Sequence, residues 1–541
     1  MPDKDVLTGN RSTAEPALRL HRLGHSSLVI VTITVLLLLA LTPALLRPAE
    51  FMQDDSYFYL QIAHNIVAGL GSTFNGITPT NGYHPLWLWI VTALSMLADG
   101  DKITALYLVF ILQVLLAIVS LLILNRLTIA MGLRHGLIAL AVLSAYLLGT
   151  GIYGSEAHIN ALSLLVGLTF LWVALGQRSL GIWIITGCLF GIACLARLDN
   201  VFPIFSLCVF SVLWSARNDV HHLIRVAVSL SLGGSIVVLP YLISNFIGYG
   251  HLVPISGAIK STFPAANPDL NNLGTMGKVA APFGFVAISI GLFLDSDSKR
   301  RVIWSGLGTG VLLHAVYIVC FTDHYTFWAW YYVPAVITAA LSASYLYQSL
   351  SRQTAKWLSY KAISTIAIAF AVLVLAAGAA RAWLKAYNVQ RIGPMNIDLR
   401  VNEYRWPDEF GKWMKANLAA GSRILVYDWP GAIAYYSDLS LLPMDGLVSD
   451  YQYNDDLVQL GIHGYLCAKD VNYFFGLIEP WEKDIEVTVE APLYRIPVGT
   501  LHLREEDIIV RTREVLSRPD EALPFAIWRI DCTSPSTVSH L

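Results

Sequence analysis

Residues 51–87 read FMQDDSYFYLQIAHNIVAGLGSTFNGITPTNGYHPLW, and the rest of the chain is arranged around this stretch. It follows one long apolar run and precedes many more, yet it is rich in groups that membrane packing does not call for. Two adjacent carboxylates, Asp54 and Asp55, come soon after the first apolar run. Behind them Tyr57, Phe58, Leu60, Ile62, Ala63, Ile66 and Val67 recur at helical spacing, with Gln61, His64 and Asn65 on the other side. That pattern predicts an amphipathic helix lying in the membrane interface rather than crossing it. Gly69-Leu70-Gly71 ends the helix, and Asn75-Gly76 and Asn81-Gly82 mark two turns. His84-Pro85-Leu86-Trp87 then opens a second apolar helix, whose first turn tolerates Pro.

The whole chain of 541 residues is 55% hydrophobic and only 14% charged, with a mean hydropathy of +0.57. A soluble protein carries about 25% charged residues. The charge is also unevenly placed: residues 381–541 hold 23 of the 38 acids but 16 of the 36 Lys and Arg. This distribution predicts an α-helical polytopic membrane protein with a small C-terminal α/β soluble domain. The boundaries read as a cytoplasmic tail over 1–27, a membrane domain over 28–380 with its first outer loop at 47–102, and an extracytoplasmic domain over 381–541. The tail carries Lys4, Arg11, Arg19 and Arg22, and no small-residue cleavage site follows the apolar run from Leu28 to Leu46, so that run reads as an uncleaved first span. Four cysteines lie in apolar segments as small core residues. Cys467 and Cys532 fall in the C-terminal domain, and no Cys/His metal spacing occurs.

Apolar runs able to span fall near 28–46, 103–124, 137–153, 158–176, 181–196, 200–215, 226–246, 279–294, 302–321, 328–350 and 362–380, each near the ~20 residues a bilayer needs. The run at 86–98 decides the topology. Left non-spanning, it puts Arg126 and Arg134, Arg178, Arg217 and Arg225, Lys299 to Arg301, and Arg352, Lys356 and Lys361 all on the cytoplasmic side. The positive-inside rule is then obeyed at each crossing, with eleven spans. The same topology gathers Asp54/Asp55, Ser155-Glu156, Arg197-Leu198-Asp199, the 247–278 loop with Lys260, and Asp323-His324 on the outer face, along with the C-terminal domain.

Asp54 and Asp55 are the strongest chemical signal. Acids that begin a helix can simply cap it, but one suffices for that. Glu156 either caps the helix that follows or belongs to a site. Asp199 reads as a structural partner of Arg197, while Arg197 is a candidate phosphate ligand. Lys260 follows a turn-rich Pro-Ile-Ser-Gly loop at the membrane edge, a place suited to a lipid phosphate. The aromatics of Trp328 to Tyr332 read as an interfacial belt, with His324 beside them as a group able to orient a substrate hydroxyl. His84 is a further candidate for substrate binding.

DDSYFYLQIAHNIVAGLGSTFNGITPTNGYHPLW, the Gly-x-Glu turn, Arg-x-Asp at a span boundary, and N-x(2)-G-x-G-x(3)-P-I-S-x(3)-K together resemble bacterial members of the GT-C glycosyltransferase superfamily. The C-terminal GSRILVYDWPGAIAYYSDLSLLPMDGLVSDY is similar to the outer-face domain of membrane arabinofuranosyl- and mannosyl-transferase relatives. The resemblance implies a polyprenyl-phosphate sugar donor, a glycan or glycolipid acceptor, and an inverting transfer on the outer face of the inner membrane. It also implies an acid in the first outer loop acting as base or holding a divalent cation, magnesium or manganese, and Asp54 and Asp55 match that place. Glu156 matches the second acidic position. The chemistry fits these residue types, because transfer needs a carboxylate to take the acceptor proton and a cation for the departing phosphate.

In the C-terminal domain, Trp406 to Leu418 reads as a helix and Arg423 to Tyr427 and Val471 to Phe475 as strands. The domain is expected to bind acceptor or act as a lid. A rival reading is a non-catalytic lipid or polysaccharide transporter or an envelope assembly factor. Transport would call for charges near the bilayer midplane, and the sequence places its charges at the outer edge.

Overall fold

The computed structural model describes residues 51–133, 136–147, 153–217, 219–323, 328–354, 406–478, 482–517 and 524–532, together with two short strands, β1 (Arg391–Ile392) and β2 (Ile397–Asp398), and isolated positions between. The tail over 1–27, the runs 28–46 and 362–380, Arg134 and His324 lie outside the described residues.

The opening stretch forms α1 (Asp54–Val67) and α2 (Pro85–Leu97), joined by the Gly/Asn loop. α1 is helical as its spacing predicts, but it does not lie in an interface with one face open. Tyr57, Leu60, Ile62 and Ala63 are buried, and so are Gln61 and Asn65. The polar side has protein partners instead of headgroups. Asn65 Nδ2 donates to the carbonyls of Thr73 (2.9 Å) and Phe74 (3.1 Å), and Lys102 Nζ donates to Gln61 Oε1 at 3.3 Å. α2 has 13 residues and so is about 20 Å long, short of the ~30 Å hydrocarbon layer.

The membrane helices follow: α3 (Lys102–Ala130), α4 (Gly136–Leu147), α5 (Ala157–Ala174), α6 (Leu180–Ala196), α7 (Val201–Ser215) and α8 (Val220–Tyr249). After the short helix α9 (Ile255–Lys260) come α10 (Gly274–Ala280), α11 (Pro282–Ser289), α12 (Ser298–Phe321) and α13 (Val333–Thr354). Among the described residues five helices are long and apolar enough to cross a bilayer, or six if a bent pair counts as one span. That pair is Leu270–Ala280 with Pro282–Leu294, bent by 48° at the break before Pro282, and the expected 279–294 run falls mainly on its second member. α3 starts where Asp101 accepts from the Thr104 amide at 2.7 Å. α6 and α8 pack face to face through Gly187 and Gly233, where a Cβ would strike the facing backbone.

The C-terminal domain has α14 (Trp406–Asn417), β3 (Arg423–Val426), α15 (Pro430–Ser437), β4 (Ser440–Pro443), α16 (Tyr451–Ala468), β5 (Tyr473–Leu477), the hairpin β6 (Ile485–Ala491) and β7 (Ile496–Leu503), β8 (Ile508–Arg511) and β9 (Phe525–Arg529). Its five-stranded sheet has the order β4-β3-β5-β9-β8. The β4, β3 and β5 strands are parallel, and β9 is antiparallel to both β5 and β8. The β3 and β5 strands are almost fully buried, which is why they read as short continuous apolar runs. Cys467 in α16 and Cys532 beyond β9 form a disulfide.

This domain sits on α1 and the start of α3. Tyr57 of α1 packs against Tyr435 and Tyr436 of α15, with ring centroids 5.5 and 5.8 Å apart. Lys102 Nζ bonds both the Tyr435 carbonyl and Asp438 Oδ1 at 2.6 Å, and Arg495 reaches the carbonyls of Ile259 (3.0 Å) and Ser261 (3.1 Å).

Candidate active site

Between the ends of the membrane helices that face the C-terminal domain and that domain lies a cavity of about 600 Å³. Its polar wall carries Asp55, His84, Glu156, Arg197 and Lys260, five of the residues singled out in the sequence, together with Tyr59, Asp199, His314 and Tyr331. Asp54 is not part of the wall, and His324 lies outside the described residues.

The two adjacent aspartates do different things. Asp54 turns toward the C-terminal domain, where Oδ2 accepts from the Gly431 amide at 2.9 Å and Oδ1 from the Ala432 amide at 2.8 Å. These are early amides of α15. Trp429, the residue before that helix, has left-handed backbone geometry and offers no side-chain cap of its own, so Asp54 caps the helix from another part of the chain. Gly431 permits the approach, because a Cβ there would run into the Asp54 backbone. Asp55 instead lines the cavity. Burial pushes its carboxyl above the ordinary range, with Glu156 and Asp428 adding to the rise and Lys260 opposing it. Burial likewise pushes Asp54 up to about 8, against the pull of its two amide donors.

On the membrane side Glu156, Arg197 and Asp199 form a buried ion network. Arg197 grips Asp199 through Nε (2.8 Å) and Nη2 (2.7 Å) and gives Nη1 to Glu156 Oε1. Tyr59 donates to Glu156 Oε2 at 3.1 Å, and His314 Nε2 lies 3.4 Å from Asp199. Glu156 makes no side-chain cap to the helix it precedes, so its carboxylate is committed to the cavity wall. All three guanidinium nitrogens of Arg197 face carboxylates, which matches its charge inside the protein. The arginine plane also stacks on Tyr331, 3.9 Å from the ring centroid, while Lys260 donates to Tyr331 Oη at 2.8 Å. Tyr331 thus links the two cations. The aromatic run read as a membrane belt is in this part a site wall, with Trp330 and Tyr332 buried beside it.

His84 opens α2 and projects into the cavity. The Leu198 amide donates to its Nδ1 at 3.4 Å, and Nε2 stands 3.9 Å from Glu156 Oε1. Burial lowers its pKa to about 4, so the ring is neutral at physiological pH. The C-terminal domain contributes Asp428, which adds to the rise at Asp55, and Asp445, which burial, with Asp55 and Asp428 adding to it, pushes up to about 6. Sequence reading gave no reason to pair these with the first loop. Among the described residues no group of three or more His, Cys, Asp or Glu is placed to hold a metal ion. With Asp54 turned to backbone amides, the Asp pair does not form a chelate, and the donor set expected for a divalent cation is not assembled.

Residues 395–497 match a family described as a domain of unknown function (DUF8728). No curated protein matches the chain. Among solved structures, oligosaccharyltransferase AglB from Archaeoglobus fulgidus, in complex with an inhibitory peptide and a dolichol-phosphate, is 13% identical, with a TM-score of 0.50 over 82% of this chain and 69% of that one. ArnT from Cupriavidus metallidurans bound to undecaprenyl phosphate is 12% identical, with a TM-score of 0.48 over 95% of this chain and 99% of that one. The chain therefore shares its fold with the archaeal membrane protein, with a small C-terminal sheet domain seated on α1 and the start of α3.

Proposed function

We propose that the protein is a membrane glycosyltransferase that moves a sugar from a polyprenyl-phosphate donor to a hydroxyl of a cell-envelope acceptor, with inversion, on the outer face of the cytoplasmic membrane. The observation that carries this reading is that Asp55 and Lys260 line one cavity between the membrane helices and the C-terminal domain. Asp55 takes the proton of the acceptor hydroxyl as its oxygen attacks the anomeric carbon. The bond from that carbon to the phosphate breaks, and the polyprenyl phosphate leaves as an anion. A carboxylate whose pKa is raised is a better proton acceptor than an ordinary one, provided it stays ionised at the working pH. Geometry chooses between the two aspartates, since the oxygens of Asp54 are bound to amides and do not face the cavity. Lys260 meets the departing phosphate, and Arg197 supports it through Tyr331 rather than by direct contact.

The archaeal protein of the same fold holds a dolichol-phosphate, which agrees with a lipid-phosphate donor here. The Cys467–Cys532 bond supports an extracytoplasmic C-terminal domain, since disulfides persist in oxidising compartments. The test is mass spectrometry of envelope glycans and polyprenyl-phosphate sugars after deletion of the gene. One lipid-linked sugar should accumulate and one glycan linkage should vanish. No change in either pool would leave the transporter or assembly-factor reading.

A further inference from the structure

The position of His84 supports a statement about what the cavity binds, and it rests on the transferase reading above. The Leu198 amide donates to Nδ1, so Nδ1 is the acceptor nitrogen of the ring. A neutral imidazole with an acceptor Nδ1 carries its proton on Nε2. That Nε2–H faces Glu156 Oε1 across 3.9 Å, too far for a direct hydrogen bond. Glu156 has an oxygen lone pair to spare there, because its Oε1 accepts from Arg197 and a carboxylate oxygen takes two bonds. The backbone amide of His84 donates to Tyr59 Oη at 3.4 Å, and Tyr59 bonds the other oxygen of the same glutamate. Donor and acceptor are thus held from behind by one network, and both line the cavity.

We infer that His84 and Glu156 form a subsite for one sugar hydroxyl, which accepts from His84 Nε2–H and donates to Glu156. An oxygen placed ~2.9 Å from Nε2 and ~2.7 Å from Oε1 subtends roughly 90° between them, a workable angle for a bridging hydroxyl. The pair also discriminates. A phosphate oxygen would accept from His84 but has no proton for Glu156, and a charged amine could satisfy Glu156 but not accept from His84. Only a group that both donates and accepts satisfies the two sides, and a hydroxyl is the form a sugar offers. A sugar lacking that hydroxyl would leave the half-buried His84 Nε2–H without an acceptor and the second lone pair of Glu156 Oε1 unused, which is how sites built to bond a hydroxyl reject its deoxy analogue.

The hydroxyl belongs either to the donor sugar or to the acceptor, and the experiment separates the two. Full-length protein in nanodiscs is assayed for binding and transfer with short-chain polyprenyl-phosphate hexoses and pentoses, and with octyl glycosides as acceptors, each alongside its deoxy series. Wild type should bind one deoxy compound at least ~10-fold more weakly than its parent. The series in which that loss appears names the source. In His84→Phe the parent should bind as weakly as the deoxy compound, while His84→Gln, which keeps an amide N–H near the Nε2 position, should recover part of the difference. Equal binding of every deoxy compound by wild type, or discrimination that survives His84→Phe, would overturn the subsite.

A second measurement is independent of turnover and of how the variants fold. Nitrogen NMR of histidine-labelled wild type should show the Nε2-protonated neutral tautomer for His84 at pH 7; the opposite tautomer or an imidazolium would overturn the inference. Asp55→Asn should abolish transfer and keep the deoxy discrimination in binding. If wild type transfers no sugar from any of these probes while the tautomer is as stated, the transferase reading fails and the hydroxyl subsite stands.

Discussion

The clearest test of the site is to separate its two aspartates, because they differ by one position and the structure gives them unrelated tasks. Asp54→Asn keeps the size of the side chain and one acceptor oxygen, and it turns an NH2 group toward the second α15 amide. At least one of the two bonds, to Gly431 or Ala432, is then lost and a buried amide is left without a partner. That loss is worth about 2 kcal/mol, or roughly a 30-fold rise in the opening of the contact between α15 and α1. Hydrogen exchange of the full-length protein reads it directly: amides 431–436 should exchange roughly 30-fold faster, and those of the β3 strand should not. Asp55→Asn should leave that exchange unchanged and lower the transfer rate by at least ~100-fold, the usual worth of a general base. Faster exchange in Asp55→Asn, or unaltered exchange in Asp54→Asn with transfer abolished, would refute the division of roles. Near-normal transfer by both variants would move the base to Glu156.

The same geometry makes four further predictions. The base must be ionised to act, and burial raises the pKa of Asp55, so kcat/KM should fall as pH drops through a limb above the ordinary ~4 of a carboxylate. Lys260 opposes that rise, so Lys260→Ala should move the limb to still higher pH and weaken donor binding by about 10-fold; a limb that stays put or moves down would contradict the contact. Arg197→Ala leaves two buried carboxylates without their cation, a loss of roughly 3–5 kcal/mol that should appear as a lowered melting temperature in detergent, and Arg197→Lys should not restore the two-pronged grip on Asp199. Reducing the Cys467–Cys532 bond opens a cross-link spanning 65 positions, worth about 4 kcal/mol in the chain-entropy account, and should expose the β9 end to protease; equal cleavage before and after reduction would dismiss it.

What the sequence shows and what it hides divide along physical lines. Helices are legible because a bilayer demands long apolar runs, and the described membrane helices lie where those runs lie. Gly136–Leu147 and Leu180–Ala196 are apolar but shorter than a spanning helix requires; the second coincides with its expected run, and the expected 137–153 run continues past Leu147 into residues outside those described. Asp55, Glu156, Arg197 and Lys260 stood out because charges are costly at a membrane edge. Their pairing did not, because Glu156 and Arg197 are 41 positions apart and nothing in the sequence measures that distance. His314 was hidden in an apolar run, and Tyr331 was absorbed into an aromatic stretch whose usual meaning is an interface.

The burial of α1 was hidden for a deeper reason, and it explains why the motif has two carboxylates. Read alone, a helix with Gln61, His64 and Asn65 on one side looks half-wet, since the surfaces that cover it come from Lys102 and from α15, whose Gly431 lies 377 positions beyond Asp54. Consecutive residues of a helix point about 100° apart and do not share a face. At the start of α1 that divergence sends Asp54 to the amides of the C-terminal domain and Asp55 into the cavity beneath it. One carboxylate alone could hold the domain or face the substrate. The adjacent pair does both from a single turn of helix, so seating the domain and orienting the proposed base become one structural event. A change that loosens α15 should therefore slow transfer without touching any group in the cavity, and Gly431→Val is the substitution to make, because its side chain would push directly on the Asp54 backbone.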